Sequence, residues 1–159
     1  MSRHAPNRSD GPRWLSTPEV NVVIFSLPLK LAWEFWQVSF FADLAQGPHW
    51  RSVLRCTQAA VGDVFISLLA YWAVCVTTRT RWWVKRPTSA QVVIFIGVGL
   101  AVTVLLEILA TRVFGRWSYS ETMPVVPGLG VGLLPLAQWL LLPPIVLWFV
   151  RRSEDRWSG

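Results

Sequence analysis

Charge is what this chain has least of. Only 15% of its 159 residues are Asp, Glu, Lys or Arg, against about 25% in an ordinary soluble domain, while 53% are hydrophobic and the mean hydropathy is +0.41. That balance excludes an ordinary soluble globule and points to a membrane protein. Acids are scarcer than bases, 9 against 15, giving a net charge of +6. The basic residues fall between apolar segments and form no patch with interleaved aromatics, so nucleic acid is not a partner.

The two cysteines, Cys56 and Cys75, are 19 residues apart on one expected helix, a separation of about 28 Å along its axis. They cannot pair with each other, define no disulfide framework or zinc site, and leave the redox compartment open. Of the two histidines, only His49 lies near an expected span, and no HxxxH, ExxH or CxxC spacing accompanies it. A phosphate loop, a GxSxG elbow and an HExxH helix are all missing. The GLGVG run at 128–132 follows no strand and reads as a flexible approach to the next helix.

What the chain does have is long apolar runs. Four segments approach the roughly 20 residues that cross a 30 Å hydrocarbon core: 20–41, 54–76, 90–112 and 131–150. The expected fold is therefore all-α, an integral membrane four-helix bundle, with a polar tail at 1–19 and a basic tail at 151–159. No removable signal peptide is read at the start, so the first span is expected to anchor the chain. Pro143 and Pro144 remove two amide donors from the fourth span, which predicts a kink and packing against the other three helices.

Lys and Arg near the span ends set orientation. With four spans the termini share a side holding Arg3, Arg8, Arg13, Arg79, Arg81, Lys85, Arg86, Arg151, Arg152 and Arg156, while the other side holds Arg51, Arg55, Arg112 and Arg116. Ten against four predicts that both termini are cytoplasmic. Trp14, Trp82, Trp83 and Trp148 on one side, with Trp50 and Trp117 on the other, fit interfacial belts. Residues 42–53 and 113–130 are the outer loops, the second too rich in turn residues for a helix.

The few polar residues inside the spans share a depth. Counting 1.5 Å per residue from the outer helix ends, Glu34 lies at about 10 Å, Asp63 at about 13 Å, Glu107 at about 8 Å and Gln138 at about 11 Å. Gln37 and Gln58 form a shallower layer, and Lys30 lies deepest. Steps of three and four put Leu27, Lys30, Glu34, Gln37 and Phe41 on one stripe, so Lys30 is expected to reach Glu34. Cys56, Ala59 or Ala60, Asp63, Ser67 and Ala70 form a small-residue stripe on the second helix; Gly99, Thr103, Glu107 and Thr111 form another on the third.

Glu34, Asp63 and Glu107 are therefore the candidate catalytic residues, with Lys30 as counter-charge and Gln37, Gln58 and Gln138 as supports. Three carboxyls and one amine in a low-dielectric bundle cannot all be ionised cheaply. Either Lys30 balances one acid while the others keep their protons, which suits proton transfer, or a cation joins them. His49 is the speculative metal ligand; no cofactor is specified. The expected partners are the lipid bilayer and a lipophilic small molecule, or a membrane-protein complex that this chain serves as an accessory subunit. A small oligomeric transporter is a third reading, disfavoured because the inner half shows no polar residue to continue a route. The plainest alternative is that the polar groups only hold helix to helix.

Two resemblances bear on this. The run GRWSY at 115–119, after Glu107 and before GLGVGLLPL at 128–136, resembles a pattern in membrane carotenoid-synthesis proteins of the lycopene-cyclase type. There an acid-bearing helix is followed by G-x-W-x-Y or F, then a glycine and a proline opening the next helix. The likeness spans about 30 residues, and Leu136, Ala137 and Gln138 stand where that family has an acidic pair. It implies an isoprenoid-like substrate. Over most of its length the chain resembles a group of small four-span bacterial inner-membrane proteins. The matching positions are Trp33, Glu34 and Gln37, then Cys56, Gly62 and Asp63, then Glu107, Met123 and Pro124, and last Pro135, Gln138 and Trp139. This implies a multi-pass protein of the bacterial cytoplasmic membrane and assigns no reaction.

Overall fold

A computed structural model describes residues 17–45 and 47–157. The polar start of the chain, including Arg3, Arg8, Arg13 and Trp14, lies outside the described residues, as does the side chain of Arg156. The fold is helical, with two isolated β-bridges. Helix α1 (Pro18–Gln37) begins on a proline, whose fixed φ suits the first helical turn. A single 3-10 turn, Val38–Phe40, leads to the short α2 (Ala42–Ala45). Helix α3 (His49–Thr78) ends at Arg79, which adopts the left-handed conformation at φ 53°. A capping box between Thr88 and Gln91 opens α4 (Ser89–Ile108); both orphan donors at that helix start are satisfied. A π-helical turn, Leu109–Val113, continues it. Helix α5 (Leu133–Trp157) closes the fold.

Three stretches, His49–Thr78, Ser89–Val113 and Leu133–Glu154, are long and apolar enough to cross a bilayer, which marks the chain as a membrane protein. Helix α1 has the length but not the apolarity, because it carries Glu19, Lys30 and Glu34. The four long helices pack in a ring: α1 touches α3 and α5, and α4 touches the same two. Helix α5 thus lies against two neighbours and diagonally from α3. It runs without a break through Pro143 and Pro144.

Several expected boundaries move. The first span was expected to reach residue 41, but α1 stops at Gln37 because Phe41 turns extended and bridges to Tyr119. Its flanking groups join in: the Ala42 amide donates to the Ser118 carbonyl at 3.0 Å and Ser120 to Phe40 at 2.9 Å. The loop expected at 42–53 is half helix, since α3 starts at His49, directly after Pro48. Hydropathy finds where lipid begins, not where hydrogen bonding begins. The tail expected at 151–159 starts as the last turns of α5, where Glu154 is buried and accepts from Asn21 Nδ2 at 2.8 Å. Lys85 stands 3.8 Å from the same carboxylate.

The apolar core sits at the end of the bundle that holds the chain termini. Val22, Tyr71, Val74, Trp83, Val84, Phe95, Val146 and Val150 meet there. Trp83 is a core residue, 3% exposed, and not part of an interfacial belt; Trp82 and Trp148 do face outward. The inner half also carries buried polar groups, Asn21, Ser26, Gln91 and Glu154. This corrects the expectation that nothing polar lies below Lys30. These groups escape a hydropathy reading because Asn21 and Ser26 are small and isolated in sequence, and Glu154 lies beyond the apolar run.

Candidate functional site

The buried face of α1 is mostly polar: Asn21, Ser26, Lys30, Glu34 and Gln37 point inward, with Val22 an apolar exception near its start, while Ile24, Phe35 and Trp36 point out. This inverts the usual amphipathic helix of a soluble protein. At the loop end of the bundle that stripe meets a cavity of about 310 Å³. Glu34 and Gln37 enter it from α1, Gln58 and Asp63 from α3, Thr103 and Glu107 from α4, and Gln138 from α5. The shared depth read from the sequence therefore becomes a shared space.

Lys30 lies just below this cavity, and its partner differs from the expected one. Its ammonium is 3.6 Å from Asp63 Oδ2 on the facing helix and 4.0 Å above the centre of the Trp139 ring. Glu34 instead accepts from Gln37 Nε2 at 2.9 Å, one turn along its own helix, and Gln37 accepts from Trp33 Nε1 at 3.0 Å. Helical spacing made a Lys30–Glu34 pair available, but α3 brings Asp63 across the bundle to the same ammonium. The pair ties α1 to α3, and the ring of Trp139 supplies cation–π attraction from α5.

No known protein family, curated protein or solved structure matches this chain. The site is accordingly read from its own chemistry.

Glu107 is held from the loop after α4. The Tyr119 hydroxyl donates to its Oε2, and Trp117 Nε1 approaches the same oxygen at 3.4 Å. The Tyr119 oxygen in turn accepts from the Gly132 amide at 3.0 Å. Burial, then the bond to Glu107, push this phenol well above the ordinary range, so it stays a donor. Asp43 pins the same loop by accepting from the amide and hydroxyl of Ser118 at 2.9 and 3.1 Å. The loop is thus a strap across the cavity mouth. Tyr119 and Trp117 entered the sequence reading only through the GRWSY resemblance and the aromatic belt, because an irregular loop has no period that points its side chains at Glu107.

Arg55 and Arg116 also line it, and much of the remaining lining is apolar, from Val38, Phe41, Ile66, Leu106, Leu109 and Ala110. One wall is open. Gln58, Ala59 and Gly62 on α3 and Leu106 on α4 line the cavity yet are exposed in the isolated chain. A Cβ added at Gly62 would meet nothing within 4 Å. The cavity therefore opens sideways between α3 and α4. Inside, Thr103 Oγ1 is buried without a hydrogen-bond partner, its residue only 6% exposed, while the buried Gln138 amide lies against Asp63. Buried polar atoms of this kind are costly unless something meets them.

One expected participant stands apart. His49 is exposed at the first residue of α3 and does not line the cavity. Among the described residues no three His, Cys, Asp or Glu side chains group closely enough to hold a metal ion. Cys56, read as a packed thiol, does line the cavity; its Sγ lies 3.5 Å from the Glu34 carbonyl.

Proposed function

We propose that this chain is a four-span protein of the bacterial cytoplasmic membrane that admits a lipophilic, isoprenoid-like molecule from the bilayer and presents it to the acid layer of Glu34, Asp63 and Glu107. The observation that carries this reading is convergence: carboxyls from three helices and an amide from the fourth line one cavity with largely apolar walls that opens sideways. Such a mix, apolar walls with a few placed polar groups, is what a small-molecule site needs. Helix α1 counts as the fourth span in this reading, because its charged face is covered by α3 and α5 and its apolar face is left for lipid. The ten-to-four excess of Lys and Arg supports a cytoplasmic location for both termini, with the cavity in the outer half.

The roles divide by environment. Asp63 is committed to Lys30 and serves as the fixed charge at the cavity floor. Glu107 is held by Tyr119 and Trp117 at the wall. Glu34, bonded only to a neighbouring amide, is the acid placed to exchange a proton with a bound molecule. Gln37, Gln58 and Gln138 orient it or its ligand.

Extraction of the protein in mild detergent followed by mass spectrometry tests the reading. One lipophilic molecule per chain is expected in the wild type. Glu34→Gln is expected to keep the protein in the membrane and the ligand bound while abolishing its conversion. A wild-type protein that carries no lipophile ends the proposal, and a Glu34→Gln chain that fails to accumulate makes that acid structural.

A further inference from the structure

Beside the cavity lies a second recess of about 380 Å³, lined by Trp50, Arg51, Leu54, Arg55, Gln58 and Arg116. Arg55, Gln58 and Arg116 border both spaces, so the two are continuous. The recess brings together three guanidinium groups that are exposed and, among the described residues, have no carboxylate partner. The nearby acids are engaged elsewhere, Asp43 with Ser118 and Glu107 with Tyr119 and Trp117. Arg112, the other cation on this face, donates to the Leu129 carbonyl and is spent on the strap. Two of the three free guanidinium groups are steadied by rings, Arg51 over Trp50 at 5.5 Å and Arg116 over Trp117 at 5.9 Å.

We propose that Arg51, Arg55 and Arg116 receive the phosphate headgroup of an amphiphile whose apolar chain lies in the cavity. The geometry fits that order of parts. Arg55 and Asp63 are eight residues apart on α3, so the headgroup site stands about 12 Å above the carboxyl layer along the helix. Between them the exposed Ala59 and Gly62 leave a smooth track for a chain. Guanidinium groups bind phosphate oxygens through paired, charge-assisted hydrogen bonds. The Thr103 hydroxyl, buried at the far end of the track without a hydrogen-bond partner, is a separate sign that the cavity is built around an occupant. The inference rests on the reading of the cavity as a lipophile site and names the class of molecule it takes: a phosphorylated isoprenoid-like lipid in place of a neutral one.

The test titrates the whole protein in neutral detergent with farnesyl phosphate, farnesol and inorganic phosphate, followed by the fluorescence of the tryptophans. Farnesyl phosphate is expected to bind about tenfold or more tighter than farnesol, and inorganic phosphate far more weakly than either. The double variant Arg55→Gln, Arg116→Gln is expected to lose that margin while binding farnesol as before; both side chains are exposed, and its unfolding midpoint checks that the fold is kept. Equal affinity for farnesol and farnesyl phosphate, or a margin that survives in the variant, overturns the headgroup site and leaves the cavity reading standing. Inorganic phosphate binding as tightly as farnesyl phosphate overturns it in favour of an anion site without a lipid. Failure of both farnesyl compounds to bind overturns the cavity reading and this inference with it.

Discussion

The two halves of this bundle are built from the same four helices on opposite plans. At the end near the termini, Tyr71, Trp83, Phe95 and the valines of α1, α3 and α5 fill the ring with interlocked apolar side chains. At the loop end the same ring encloses a cavity, and the groups that face it are carboxyls and amides. Trp139 stands between them, edge-on to Phe95 at 6.5 Å on the packed side and under the Lys30 ammonium on the other. The difference shows a division of labour: close packing in one half supplies the stability that lets the other half keep a costly polar space. It also yields tests, since a change that damages packing and a change that alters the cavity should have separable effects.

The largest effect is expected at Gly99, on the packed side of the partition. A Cβ built there lies 2.0 Å from Trp139 Cε3, and that ring is wholly buried. Gly99→Ala should therefore displace Trp139 and cost about 3 kcal/mol or more, seen as a lowered unfolding midpoint in detergent. A near-neutral result would mean that Trp139 is free to move and that the two halves are not partitioned by it. Of comparable size is Lys30→Met, which leaves Asp63 buried without its counter-charge and should cost about 3 kcal/mol or more. Adding Asp63→Asn should return most of that loss. If the two substitutions simply add, the ion pair does not join α1 to α3.

How much of this was legible in the sequence follows the same division. The packed half announces itself through long apolar runs: four spans were expected, and among the described residues three of those helices are long and apolar enough to cross a bilayer. The polar layer was legible too, because helical rise converts positions 34, 63, 107 and 138 into depths, and all four line one cavity. Partners were not legible. Spacing within a helix offers Lys30 to Glu34, and only the approach of α3 gives it to Asp63. The strap was beyond reach for the same reason: Tyr119 finds Glu107 through a loop whose path is set by Asp43, Phe41 and turns at Gly128 and Gly130.

The strap offers a smaller test. Tyr119→Phe removes both the donor to Glu107 and the acceptor for the Gly132 amide, a loss of about 1 to 2 kcal/mol. Its pH dependence has a definite sign. The folded-state phenol titrates above its unfolded value of about 10, so its contribution is fully present below that pH and lost as pH rises through the higher folded value. The unfolding midpoints of wild type and Tyr119→Phe should therefore differ by a constant amount between about pH 7 and 9 and converge above about 10. A gap that persists in strong alkali would show that the ring, and not the hydroxyl, holds the strap.

The smallest expected effect on stability carries the sharpest functional consequence. Gly62 faces the open wall, where a side chain would meet nothing within 4 Å, and a helical glycine costs about 1 kcal/mol relative to alanine. Gly62→Leu should thus leave the unfolding midpoint unchanged or raise it slightly, the opposite of Gly99→Ala. Its side chain, however, projects into the sideways opening between α3 and α4, across the track that leads down to Asp63. Less lipophile should be extracted with this variant than with wild type, although the protein is at least as stable. Loss of ligand together with loss of stability would place Gly62 in the packed half after all, and undiminished ligand would mean that the molecule enters from the strap side, past Tyr119, and not from the bilayer.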